Sequence, residues 1–216
     1  ERYGDIVEVE SSNPSSPTII MSNINITLPD KSVKVFPKGV TSQEVADSIG
    51  PGLARAVVVS KVNGELKDLN YVLEEDCSIE LFTGDSSEGH DTLLHSTAHL
   101  MAQAVKSLFP KAKVTIGPTI ENGFYYDFDI DNPFTEEILL KIENRMKELA
   151  KSSQEILRIE ISTEDAIKMF DDMGESYKVE IVKEIDSNDI ISAYKQSDFT
   201  DLCRGPHVSN TSKIKY

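Results

Sequence analysis

Apolar and polar positions change their period once along this chain, and the change divides it. Between residues 22 and 84 the period is two. Ile24, Ile26 and Leu28 alternate with Asn25 and Thr27, Pro29-Asp30-Lys31 turns, and Val33-Lys34-Val35-Phe36 alternates again, which predicts a hairpin. Thr41-Ser42-Gln43-Glu44 has capping-box spacing and opens a helix that Gly50-Pro51-Gly52 stops. Residues 56–59 and 79–82 read as further strands, with a turn at Asn63-Gly64 between them. This order of two strands, a helix and two strands predicts a small mixed sheet with one helix across it, the β-grasp arrangement.

From Asp91 the period becomes helical. Leu94, Ala98, Met101, Val105 and Leu108 form one apolar face, and Pro110 ends the helix. Residues 85–90 are polar and read as a linker. Residues 113–116 and 124–130 are strand-like, Thr135 can cap a helix running to about Lys151, and Ser162-Thr163-Glu164-Asp165 opens a short helix stopping near Gly174. Residues 176–185 read as a strand carrying Lys178, residues 187–198 as a polar stretch, and residues 198–207 hold the motif Cys203 to His207. The expected fold is α+β: a β-grasp domain at 22–84, a linker at 85–90, and a larger domain at 91–216 with an antiparallel sheet and helices. Residues 1–21 are acidic and rich in Ser and Pro, and are expected to form a disordered tail.

Charge narrows the function. Thirty-seven acidic against 22 basic residues give a net −15, which excludes a general nucleic-acid binder, because phosphate contact rests on Lys and Arg. An RNA partner must meet a local basic patch or be held by another part of a longer protein. No apolar run approaches the roughly 20 residues that cross a bilayer, so no membrane partner is expected, and the first residues do not resemble a signal peptide. There are two cysteines: Cys77 in a strand pattern, Cys203 in a loop beside Arg204 and His207. The expectation is a reducing, cytoplasmic compartment without disulfides.

The chemistry gathers in two motifs. His95-Ser96-Thr97-Ala98-His99 sets two imidazoles on one helix face, on the side of Ala98 and Ala102. Such a pair suits zinc, although two solvated surface histidines are the plainer interpretation, and the absence of Glu beside His95 excludes the HExxH metalloproteases. In Cys203-Arg204-Gly205-Pro206-His207 the Gly-Pro pair forbids a regular helix, so a loop presents both end side chains. Three His and one Cys would close a zinc site and make it structural. Either one of the four is not a ligand, or no metal binds and the groups act on water directly. Gly123-Phe124-Tyr125-Tyr126-Asp127-Phe128 is most simply a core strand, with one of the adjacent tyrosines turned to a pocket. Lys178 is a solvated strand lysine or, beside a cleft, a group to hold a carbonyl or water.

Together these residues carry a resemblance. Residues 22–84 resemble a TGS domain. His95-x-x-x-His99, Ile116-Gly117-Pro118, Gly123 to Phe128, Glu175-Ser176-Tyr177-Lys178 and Asp201-Leu202-Cys203-Arg204-Gly205-Pro206-His207 resemble the editing domain of bacterial and eukaryotic threonyl-tRNA synthetases. Alanyl-tRNA synthetases have a related domain, with a Cys-Gly-Gly-Thr-His type loop and no TGS domain in front. The resemblance implies hydrolysis of serine wrongly esterified to threonine tRNA. By that resemblance His95 and Lys178 place the water and stabilise the oxyanion, while His99, Cys203 and His207 complete the pocket wall. Asp201 takes the substrate's ammonium or hydroxyl, and Tyr126 and the backbone at Gly117 line the adenosine or aminoacyl pocket. It also implies a site with no metal or other cofactor, zinc being possible but not favoured. The implied partners are the serine-bearing 3′ end of the tRNA and the remainder of a synthetase, with its ATP-dependent aminoacylation core and anticodon-binding domain, homodimeric at full length. The chain stops at Tyr216, before anything resembling that core, and is expected to be an excised fragment that does not charge tRNA. Two rivals are a zinc-dependent trans-editing hydrolase and a non-enzymatic module binding RNA or a regulatory ligand.

Overall fold

Alternation places Ile24 and Ile26 inside and their neighbours out, and the first strands form where that pattern runs. The computed structural model describes residues 22–121, 123–186 and 190–215, so the expected tail at 1–21 lies outside the described residues. Strand β1 (Asn23–Thr27) pairs antiparallel with β2 (Val33–Pro37). A short β3 (Val40–Thr41) leads into helix α1 (Ser42–Ile49). Its capping box is formed: the Thr41 hydroxyl accepts from the Glu44 N–H, and the Glu44 carboxylate accepts from the Thr41 N–H at 2.7 Å. The expected stop at Gly50-Pro51-Gly52 becomes a second short helix, α2 (Pro51–Ala56), because the fixed φ of Pro51 suits a first helical position. Strands β4 (Val57–Val62) and β5 (Glu65–Lys67) form a hairpin across Asn63-Gly64, both at positive φ. Strand β6 (Val72–Leu73) pairs with β3, and β7 (Cys77–Thr83) runs parallel to β1 and antiparallel to β4. The sheet order β2-β1-β7-β4-β5, with a helix packed over Ile24, Ile26, Val62 and Ile79, is the expected β-grasp module.

Helix α3 (Ser87–Leu108) starts earlier than the apolar period indicates. Ser86 caps it by accepting from the Gly89 N–H at 3.0 Å, so residues 87–90 form its first turn and not a linker. The strands expected at 113–116 and 124–130 reduce to two short ladders. Strand β8 (Lys113–Val114) pairs with β11 (Phe128–Asp129), and β9 (Thr119–Ile120) with β10 (Gly123–Phe124) inside them. Helix α4 (Glu136–Lys151) is capped by Thr135, as expected. After β12 (Ile156–Ile161), α5 (Thr163–Asp172) is capped by Ser162 and ends before Gly174, whose φ of 74° reverses the chain.

Two expectations fail here. Residues 176–185 are mostly helical, α6 (Ser176–Glu184), and not a strand. Val179 and Val182 share the buried side with Lys178 and pack with Phe170 and Ala166, a three-residue spacing that a short apolar run does not distinguish from alternation. The polar stretch 187–198 contains β13 (Ile191–Gln196), the central strand of an antiparallel sheet ordered β12-β13-β14, with β14 at Phe199–Leu202. Its buried Tyr194 and Gln196 look solvent-facing in sequence, but each is hydrogen-bonded inside. The fold is α+β throughout, and among the described residues no helix is long and apolar enough to cross a membrane.

The two modules share a core. Val58 and Val59 of β4 pack in one cluster with Leu100 and Val105 of α3, Leu149 of α4, Tyr194 and Val208. Lys213 donates to the carbonyls of Arg55 and Val57 at 2.7 and 3.0 Å. Gly89 lies so close to β7 that a Cβ there would collide with the Thr83 carbonyl. Gly89→Ala should therefore push α3 off the end of β7 and cost about 1–3 kcal/mol. The check is thermal unfolding, in which the variant's melting temperature should fall by about 2–12 °C.

Candidate active site

Helix α3 carries His95 and His99 four residues apart, and the loop after β14 brings Cys203 and His207 against them. The His207 ring centroid lies 4.2 Å from each of the other two, which are 5.3 Å apart. Cys203 Sγ is 3.2 Å from His95 Nε2 and 3.3 Å from His207 Nε2, and accepts from the Gly205 N–H at 3.2 Å. Ser96 fixes the tautomer of His207. Its one hydroxyl proton goes to the Thr92 carbonyl at 2.8 Å and it accepts from the Val208 N–H at 3.0 Å, so towards His207 Nδ1, 3.1 Å away, it must also accept. His207 is thus protonated on Nδ1 and presents a bare Nε2 to the thiol.

The second half of the site is ionic. Lys178 Nζ lies 2.7 Å from Asp201 Oδ1, and the Tyr126 hydroxyl donates to Asp201 Oδ2 at 2.7 Å. His99 Nε2 is 3.8 Å from the same Oδ2. Lys178 and Asp201 are both buried. Burial pushes the Asp201 pKa up, but Lys178, His99 and the Tyr126 hydroxyl outweigh it and hold the carboxyl below its ordinary range. Gly117 has no room for a side chain, since a Cβ there would enter the Tyr126 ring. That contact lays the 116–118 segment flat on Tyr126, which itself stacks on Phe128 at 4.9 Å. Of the adjacent tyrosines, Tyr126 turns in and Tyr125 is exposed.

His95, His99, Gly117, Tyr126, Lys178, Asp201 and Cys203 line one cavity of about 760 Å³, within the range of ligand-binding clefts. His207, also expected here, is buried behind Cys203 and does not line it. Four participants escaped the sequence reading. Arg158 and Ser192 line the cavity from β12 and β13, Ser96 orients His207, and Asp68 of the β-grasp module accepts from the His207 N–H at 2.7 Å. Ser96 lies inside the first motif and was within reach; a strand arginine and an aspartate from another module carry no local signal.

Burial sets the protonation states. It lowers the His99 pKa to about 4, helped by His95 and Lys178 and opposed by Asp201, and it lowers those of His95 and His207 too. It pushes the Cys203 thiol up to about 12. The cluster is therefore three neutral imidazoles and a neutral thiol beside a buried ion pair, which can accept protons, hold water and stabilise negative charge. The ligand atoms of His95, His99, Cys203 and His207 lie within 4.8 Å of one another, a donor set able to hold zinc with all four positions filled.

Two family models match. Residues 24–83 match the TGS domain, and residues 191–216 match the threonyl and alanyl tRNA synthetase second additional domain. The chain is 53% identical over 195 residues to a threonine–tRNA ligase of Citrifermentans bemidjiense, the match covering 90% of this chain and 30% of that protein. It is 50% identical over 192 residues to the threonine–tRNA ligase of Acetivibrio thermocellus, and 53% over 190 residues to that of Nitrosomonas europaea, again covering 30% of each. The chain thus spans about a third of the length of the curated relatives it matches.

Buried neutral histidines make stability depend on pH. In the unfolded chain a histidine takes up its proton near pH 6.5, and His99 in the fold only near pH 4. Between those values the unfolded state binds more protons, so stability falls as the pH drops through the window and gains nothing from His99 above it. His99 alone should account for about 3 kcal/mol across the window. Melting temperatures measured at constant ionic strength should be level above about pH 7 and fall steadily below about pH 6.5.

Proposed function

Because the chain belongs to the threonine–tRNA ligase family, as a segment carrying its TGS and second additional domains, we propose that its cavity removes serine wrongly esterified to threonine tRNA. The observation that supports this most is the convergence of His95, His99, Lys178, Asp201 and Cys203, from three separate parts of the chain, on one cavity. The need is physical. Serine lacks one methyl of threonine, and a pocket built for threonine discriminates by only about 1–3 kcal/mol. A second site that admits the smaller product and hydrolyses it supplies the rest.

The proposed step is attack of water on the ester carbonyl. His95, neutral and at the cavity wall, accepts the water's proton. Lys178 faces the oxygen that becomes negative. When the tetrahedral intermediate collapses, the ester C–O bond breaks and His95 returns the proton to the departing ribose oxygen, releasing serine and the 3′-terminal hydroxyl. Asp201 receives the ammonium of the substrate. Each carboxylate oxygen has a second lone pair beyond those used by Lys178 and Tyr126, so this contact adds to the existing ones. Tyr126 and the Gly117 backbone flank the aminoacyl-adenosine end. Burial disfavours the Cys203 thiolate, which supports a direct water attack over a covalent acyl-enzyme. The −15 charge fits a division of labour in which the rest of a cytoplasmic ligase, not this segment, holds most of the tRNA.

The test is single-turnover deacylation of seryl- and threonyl-tRNA at saturating concentration. Seryl-tRNA should be hydrolysed faster, and His95→Ala and Lys178→Ala should each slow it about 10²- to 10⁴-fold. The alternative of a zinc hydrolase needs one of the four His/Cys donors to leave its position to water, and requires stoichiometric zinc and loss of activity on chelation. Absence of hydrolysis from the unaltered protein would favour a binding module instead.

A further inference from the structure

The loop that carries Cys203 and His207 is held from two sides. From within its own module, Ser192 and Cys203 exchange hydrogen bonds, the Ser192 hydroxyl donating to the Cys203 carbonyl at 2.7 Å and the Cys203 N–H to the Ser192 carbonyl at 3.2 Å. Ser96 takes the Val208 N–H. The other side belongs to the β-grasp module. Asp68, just beyond β5, accepts from the His207 backbone N–H through Oδ1 at 2.7 Å. Through Oδ2 it accepts from the Tyr194 hydroxyl, also at 2.7 Å.

Tyr194 carries the second grip to the same loop. Its ring meets the His207 imidazole edge-on, with centroids 4.4 Å apart. Its hydroxyl lies where a Cβ on Gly205 would stand, and Gly205 has a φ of 73°, which favours glycine. One carboxylate therefore fixes the loop at residue 207 directly and at residue 205 through Tyr194. His207 in turn touches both His99 and the Cys203 thiol. A shift of the loop would move Cys203 and His207 relative to His95 and His99 on α3, and so reshape the cavity wall.

We propose that Asp68 is a positioning residue for the cavity, so that the β-grasp module completes the site and the second module alone does not. The catalytic consequence rests on the hydrolytic reading above; the structural consequence does not. The chemistry distinguishes substitutions. Asp68→Asn keeps an oxygen for the His207 N–H and an amide that can donate to the Tyr194 oxygen. Asp68→Ala keeps neither.

The experiment pairs amide hydrogen exchange by NMR with single-turnover deacylation on the full 216-residue chain. In Asp68→Ala the His207 amide should exchange at least about tenfold faster, while interior amides of the β12–β13 ladder stay protected. The single-turnover rate constant should fall about 10- to 100-fold, with the half-saturating tRNA concentration unchanged. Asp68→Asn should restore both to within about threefold. Should Asp68→Ala fail to fold, Tyr194→Phe removes one hydroxyl and should move both readouts in the same direction by less. Unchanged exchange at His207 in the alanine variant would overturn the proposal whether or not the protein is a deacylase. Faster exchange with an unchanged rate constant would overturn the positioning role. If the unaltered chain hydrolyses nothing, the functional reading fails, and the exchange data still decide whether Asp68 holds the loop.

Discussion

The buried pair of Lys178 and Asp201, 2.7 Å apart, constrains everything around it. Moving two charges out of water costs several kcal/mol each, and the cost is offset only where geometry is close and remaining lone pairs are filled. The fold meets that demand on every side. Tyr126 donates to the second carboxylate oxygen, and Gly117 must lack a side chain for Tyr126 to stand there. Lys178 reaches Asp201 only if α6 docks on the small ladder, and Glu175 at its head makes that dock. Glu175 accepts from the Val114 N–H at 3.0 Å and pairs with Lys106 of α3 at 2.6 Å. Removing one member of the central pair would leave a lone buried charge, a loss of about 3–5 kcal/mol.

Next to this ionic half sits a half kept neutral by burial. Imidazoles that resist protonation stay in the unprotonated form at neutral pH and can accept a proton, and a thiol that resists ionisation is a wall and a hydrogen-bond partner. In the proposed hydrolysis this division sets a cation and a carboxylate to receive charge, and proton acceptors to activate water. Neither half is made by one element. α3 supplies two imidazoles, the β14 strand and its loop supply Asp201, Cys203 and His207, and α6 supplies Lys178.

What the sequence disclosed follows from how local each signal is. Thr41, Thr135 and Ser162 cap helices through contacts three residues away, and the helices begin after them as expected. The two motifs needed no fold to be seen, since their spacing lies within one helix and one loop. Residues 176–185 read as a strand because Val179 and Val182 fit either period over so short a run, and the helix is chosen by packing on Phe170. Strand β13 was hidden because Tyr194 and Gln196 find their partners at Asp68 and Gln103, residues remote in sequence. The linker vanished into α3 because the Ser86 cap comes before the first apolar position of the stripe. The cavity-lining residues are thus legible as types, while the groups that orient them are not.

The central claim is that an aminoacyl-adenosine end sits in this cavity, against His95, Tyr126 and Lys178. It is tested most directly by NMR titration with serine joined through a stable amide to 3′-amino-adenosine. Binding there should perturb the imidazole signals of His95 and His99 and the ring of Tyr126, and the threonine amide should shift them less at equal concentration. Saturable binding that leaves those three residues unmoved, or that shifts residues on the far side of the β-grasp sheet instead, would contradict it.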